Sequence, residues 1–142
     1  MKQTTIKLFL RFAVAIGFLS AVADRFGLWG KEVSAWGNWE SFLEYTELIN
    51  PFIPEVLISP VGIIATLAEI FFAACLIIGF KTELFAKLSG YLLLSFALAM
   101  ILSTGIKGVL DYSVITASAA AFALSLMKEK YLELDILLNQ KK

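Results

Sequence analysis

Long apolar runs alternate with short polar breaks along this chain. Four runs stand out, at about residues 6–24, 59–80, 85–104 and 111–128. A helix rises ~1.5 Å per residue, so runs of roughly 20 residues match the ~30 Å hydrocarbon core of a bilayer. The pattern predicts an all-α chain, a transmembrane four-helix bundle forming one domain over residues 1–142. An amphipathic helix on the extracytoplasmic side separates spans 1 and 2. The organising stretch is Pro60–Phe80, which carries a single charge, Glu69, near its centre. An ionised side chain at that depth costs about 2.5–3.5 kcal/mol on insertion scales. Glu69 must therefore face protein, be protonated, or meet a cation. Gly62, Thr66, Glu69 and Ala73 recur at spacings of four, three and four, which puts Glu69 on a small, polar face aimed at neighbouring helices.

The first run follows Lys2 and Lys7 and is interrupted by Arg11. Its basic start and the Ala21-Val22-Ala23 before Asp24 also fit a cleavable signal peptide. The three further spans favour a retained helix. Ala13, Gly17, Ser20, Ala21 and Asp24 then form a small-residue stripe suited to close helix contact, and Arg11 points away from it.

Residues 25–59 break the pattern. Gly27, Gly30 and Gly37 interrupt it, and Trp29, Trp36, Trp39 and Tyr45 gather there as interfacial aromatics do. Trp36, Trp39, Leu43 and Ile49 fall at nearly helical spacing, with Glu40, Glu44 and Glu47 opposite. A short amphipathic helix from Ser34 or Asn38 to Ile49 follows, on the membrane surface or capping the bundle. The Asn50–Pro54 segment ends it, because proline cannot continue a helix. Trp36, Trp39 and Pro51 mark this region either as a partner surface or as an inert interfacial cap.

Tight turns are expected at 79–83 and 103–108, which makes successive spans antiparallel. Asp111 is expected to cap the fourth span, where Ser113, Ala117, Ala121 and Ser125 repeat every four residues as a packing ladder within the bundle or between copies. The tail from Lys128 alternates charge and either extends that helix or lies on the surface.

Composition narrows the function. The chain is 59% hydrophobic and only 17% charged, against ~25% charged in ordinary globular domains, which points to a membrane. Its net charge is zero, so nothing suggests nucleic acid. It has no histidine and one cysteine, Cys75, so the commonest general base and metal ligand is missing and no metal site is expected. The remaining chemistry is an intramembrane polar site. Arg11 has the charge and approximate depth to pair with Glu69. Alternatively, Arg11 reaches back to the interface and a neutral Glu69 bonds to Thr66 or Ser95. Asp24 and Asp111 are further supporting candidates. Nine basic residues flank the side bearing both termini and three the other, which predicts cytoplasmic termini.

Several segments together resemble the DoxX family of small membrane proteins. They are LRFAVAIGFLSAVADRFG in the first span, NPFIP before the second, the central Glu69, the Gly79-Phe80-Lys81-Thr82 turn, and GIKGVLDYSV at the fourth. The resemblance covers about Arg11 to Met127. It implies a four-helix fold in a bacterial cytoplasmic membrane, with Arg11 and Glu69 as inward polar residues. It also implies association with redox enzymes, as in small subunits of thiosulfate:quinone oxidoreductases. Quinone is then the one cofactor to consider, none being held covalently. Three roles follow: a non-catalytic subunit of a quinone-linked assembly, a scaffold for an extracytoplasmic protein, or a small transporter or proton pathway. The last is the poorest fit, because four spans show no inverted repeat.

Overall fold

A computed structural model describes residues 2–139, and every element in it is helical. In chain order these are α1 (Gln3–Arg25), α2 (Trp39–Ile49), α3 (Glu55–Ile78), α4 (Thr82–Thr104), α5 (Ile106–Asp111), α6 (Val114–Ser125) and α7 (Leu134–Asn139). The helices α1, α3 and α4 are long and apolar enough to cross a membrane, and each leaves most of its length unburied within the chain. Phe9, Ile16, Ile64, Leu67 and Leu102 are among the large apolar side chains on their outer faces. Water would reject such faces and a bilayer solvates them, so these helices mark a membrane protein.

The ends of the helices follow local chemistry. At the end of α1, Gly27 takes a left-handed φ of 68°, and Leu28 N–H donates to Ala23 O at 2.9 Å. The Asn38 side chain caps α2 by accepting from Ser41 N–H at 2.9 Å. Pro54 precedes α3, which starts five residues before Pro60 and carries that proline in its second turn. Gly79, at φ 71°, closes α3. The amides of Lys81 and Thr82 at the head of α4 are met by the Asp135 carboxylate, at 2.9 and 3.4 Å.

The expected fourth span is not one helix. Asp111 does not cap it; it closes the six-residue α5 and pairs with Lys107 one turn earlier. Ser113 then adopts a left-handed φ of 56°, and α6 begins after it. At 12 residues, α6 is ~18 Å long and too short to cross alone. Its packing face also differs from the predicted ladder. Ser118, Ala121 and Leu124 are buried, whereas Ser113 is exposed and Ala117 and Ser125 are half-buried. The close approach lies one position away from the ladder: Ser118 Oγ donates to Gly90 O at 2.9 Å. A Cβ on Gly90 would meet the Phe122 ring at 2.8 Å.

The small-residue stripe of α1 is likewise not its packing face. Ala13 and Gly17 are exposed. The inward face is Lys7, Arg11, Val14, Ala15, Phe18, Val22 and Arg25, with Asp24 beside it. Two apolar clusters result. One, toward the end bearing the N-terminus (the basal end), joins Val14, Phe18, Leu76, Phe85, Ala121 and Leu124. The other, at the distal end, joins Ile49 of α2 with Ala97, Met100 and Val109. Where α1 stops, α2 tucks against α3 and α4 in its place; a Cβ on Gly62 would meet Leu43 at 2.8 Å.

The tail does not extend α6 but lies on the surface, with residues 128–132 exposed and Glu133 turned inward. Residues 128–133 cross the basal end as a strap, and Glu133 is 5% exposed. Gly79 permits this crossing, since a Cβ there would lie 2.5 Å from Glu133 Cα and 2.7 Å from an Arg11 nitrogen. Gly79→Ala should therefore lower stability by more than the roughly 1–3 kcal/mol of left-handed backbone strain alone. Chemical denaturation in detergent checks this, with Gly17→Ala, which meets nothing within 4 Å, near wild type.

Candidate functional site

The last residue of α1 supplies the partner of Glu69. Arg25 and Glu69 are 3% and 2% exposed, and the guanidinium grips the carboxylate with two nitrogens. Arg25 Nη2 donates to Glu69 Oε1 at 3.0 Å, and Nη1 donates to both Glu69 Oε2 and Thr66 Oγ1, the latter at 2.6 Å. Thr66 in turn donates to Gly62 O at 2.8 Å, so its hydroxyl is fixed as an acceptor for the arginine. A planar fork matches a carboxylate in this way, and the geometry adds orientation as well as attraction.

An aromatic cap closes over the pair. The guanidinium carbon lies 4.1 Å from the Phe42 ring centre and 5.5 Å from that of Trp36, within cation–π range. Trp36 meets Phe42 edge-on at 5.4 Å, and Trp39 packs on Phe42 at 5.2 Å and on Phe26 at 6.0 Å. The loop that brings Trp36 into place is held by Asp24, whose carboxylate accepts from Ser34 Oγ and from the amides of Ala35 and Trp36, at 2.9 and 3.0 Å for the amides. Asp24 thus supports the site through the cap and does not touch Glu69. Tyr45 packs on Trp36 at the cap's edge, 5.8 Å between ring centres, and burial, then neighbouring Tyr112, raises its phenol above the ordinary value.

The predicted pairing of Arg11 with Glu69 does not occur. Arg11 sits farther toward the basal end, donating from Nε to Leu76 O at 2.9 Å and from Nη2 to Ile77 O at 3.0 Å. Its Nη1 donates to Tyr131 O and Leu132 O at 3.0 and 2.9 Å. Leu76 lies seven residues beyond Glu69, ~10 Å along α3, which is too far for one side chain to serve both. Arg11 therefore neither pairs with Glu69 nor escapes to solvent; it ties the last carbonyls of α3 to the strap. Lys7 joins it, donating to Glu129 O at 2.7 Å and approaching Glu133 Oε1 at 2.6 Å, an ionic contact without hydrogen-bond alignment.

Of the other candidates, Thr66 belongs to the site. Ser95 is exposed and donates to Leu92 O within its own helix. Asp111 is exposed beside Lys107. Pro51 is exposed in the loop after α2. Trp36 and Trp39 are half-buried parts of the cap rather than a free surface. Arg25, Lys7 and Glu133 went unnoticed as site residues, yet a signal existed. Lys7 and Arg25 are 18 residues apart, five turns of helix, so they share the face that also carries Arg11.

Beside Thr66 an apolar groove of about 270 Å³ opens between Phe26, Trp39, Ile63, Leu67 and Ile70. Arg25 Nε is buried with no hydrogen-bond partner among the described residues. The class is thus an all-helical protein with three helices able to cross a membrane and a buried, capped ion pair between two of them. Comparison with protein-family models, curated proteins and solved structures finds no match.

Removing one member of such a pair strands the other charge. Arg25→Leu or Glu69→Leu should each destabilise by about 3–5 kcal/mol, and the double variant by much less than the sum. Arg11→Leu combined with Glu69→Leu should instead be nearly additive. Denaturation of the single and double variants in detergent checks both statements, and strong coupling of Arg11 to Glu69 would refute the assignment.

Proposed function

We propose that this chain is an integral membrane protein of the DoxX type, acting as a non-catalytic subunit of a quinone-linked redox assembly. In this reading α1, α3 and α4 each cross the bilayer, and α5 with α6 makes the fourth crossing as a broken helix. The membrane is the bacterial cytoplasmic one, with both termini inside. Exposed lysines support that orientation: Lys2, Lys81, Lys87, Lys128 and Lys130 lie toward the basal end, while Glu40, Glu44, Glu47 and Glu55 lie at the distal end. Lys141 and Lys142, which belong to the same bias, are outside the described residues.

The carrying observation is the buried Arg25–Glu69–Thr66 cluster beside an apolar groove. The apolar part of a quinone fits the groove in kind, and Thr66 is the groove's one polar lining residue. Arg25 Nε is a buried donor without an acceptor, beside Thr66 but outside the groove's lining. Phe26 and Trp39 line a groove of about 270 Å³, which suits an apolar ring. The ring would pack on the apolar lining of Phe26, Trp39, Ile63, Leu67 and Ile70, and Arg25, which does not line the groove, would act on it only through Thr66, to which it donates. A bound quinone supplies the electron-accepting chemistry; the chain's own residues bind it, orient it and keep water away. Glu69 fixes the guanidinium in one orientation throughout.

A second reading, a scaffold for an extracytoplasmic protein, is favoured by the exposed acidic face of α2, where Glu40, Glu44 and Glu47 follow one another at helical spacing. The two differ in outcome. Purification in mild detergent should recover a redox-enzyme partner with bound quinone. Glu69→Gln should retain the partner and lose most of the quinone. Reversing Glu40, Glu44 and Glu47 to lysine should leave both unchanged. Loss of the partner on that reversal, with quinone absent from wild type, would overturn the subunit reading in favour of the scaffold.

A further inference from the structure

We propose that the strap and the α3–α4 turn together form a binding site for the phosphate of an anionic lipid at the basal membrane interface. The inference rests on the reading that the long helices cross a bilayer, and not on the identity of any partner.

A cavity of about 430 Å³ lies between the two segments. Phe80, Lys81 and Leu84 come from the turn and the head of α4; Lys130 and Leu138 come from the strap and α7. Glu83 and Asp135 also line it, and both carboxylates are already engaged. Glu83 pairs with Lys128 at 2.7 Å, and Asp135 accepts from the amides of Lys81 and Thr82. Lys81 and Lys130 have no carboxylate within 4 Å among the described residues. The cavity thus presents two ammonium groups without a carboxylate partner, Lys81 resting over the Phe80 ring at 5.5 Å, beside apolar walls. A phosphate that brings an acyl chain satisfies both features, whereas a free phosphate leaves Phe80, Leu84 and Leu138 uncovered. A lysine close to an anionic membrane surface contributes attraction of about 1 kcal/mol.

The site exists only while the strap is seated, because Lys130 comes from the strap and Asp135 and Leu138 from α7, which the strap carries into place. Lys7 and Arg11 seat it from beneath, through the carbonyls of residues 129, 131 and 132. Anionic lipid and strap closure therefore stabilise one another, since any ligand that binds only the closed form shifts the balance toward it.

The test uses the full chain in neutral detergent, titrated separately with phosphatidylglycerol, phosphatidylcholine and inorganic phosphate. Native mass spectrometry counts retained adducts, and thermal melting reports stabilisation. Phosphatidylglycerol should be retained and raise the melting temperature, with phosphatidylcholine and phosphate doing neither. Lys81→Gln with Lys130→Gln should weaken phosphatidylglycerol binding roughly thirtyfold, with helical content unchanged. Lys31→Gln with Lys107→Gln, at the distal end, should bind as wild type does. Equal retention of phosphatidylglycerol and phosphatidylcholine, or equal binding by the Lys81/Lys130 variant, would overturn the proposal. Stabilisation by inorganic phosphate equal to that by the lipid would overturn the lipid as its source. A negative result here leaves recovery of a redox partner unaffected, so the two readings fail separately.

Discussion

A charge buried among apolar helices must be met by an opposite charge or by oriented dipoles, and Arg25 with Glu69 is where this chain meets that demand by direct pairing of two buried charges. Desolvating each ion costs several kcal/mol, and the attraction repays it only if the remaining hydrogen-bonding groups are also satisfied. Thr66 accepts one arginine proton, and the Phe42 and Trp36 rings cover the cation. The cap is therefore part of the electrostatics. Its loop is positioned by Asp24, adjacent in sequence to the arginine being covered. One turn of α1 thus supplies both the cation and the anchor of its lid.

The basal end solves the same problem by other means. Lys7 and Arg11 are each 1% exposed, and one carboxylate, Glu133, lies close to both. Backbone carbonyls do the rest. Leu76 O and Ile77 O sit at the C-terminal end of α3, where the helix field favours a cation. The strap brings three more carbonyls, from residues 129, 131 and 132. The two polar layers hold α1 against α3 at both ends, with the apolar packing of Val14, Phe18, Ala73 and Leu76 between them. Buried polar layers of this kind fix helix register, because sliding by one turn would unpair every member.

Much of this was legible in the sequence. The four-residue repeat around Glu69 correctly placed Gly62, Thr66, Glu69 and Ala73 inward. Asn38 and the Pro51–Pro54 segment bounded α2. Misreadings came where tertiary contacts decide among similar local signals. Arg25 follows the first apolar run and so resembles a flanking charge; only the chain's return through α2 buries it. Arg11 has the right charge for Glu69, but depth counted from helix ends ignores that α3 begins at Glu55 and that its C-terminal carbonyls compete for the guanidinium. Asp111 looks like an N-cap because the left-handed turn at Ser113 has no signature in a serine. Small residues on α1 and α6 mark several faces at once, and packing against Phe18 and Phe122 selects among them. Glu133 was hidden because charge alternation in a tail gives no hint that one member is buried.

The central claim is that Glu69 is held by Arg25 and not by Arg11. The chain has only these two arginines, so the contact can be read directly by solid-state NMR in lipid bilayers. With arginine labelled by nitrogen-15 and glutamate by carbon-13, the account predicts strong dipolar coupling between the Glu69 carboxyl carbon and the Arg25 guanidinium nitrogens, abolished by Arg25→Lys and retained in Arg11→Lys. Coupling of Glu69 to Arg11, or a Glu69 carboxyl uncoupled from either arginine, would contradict it.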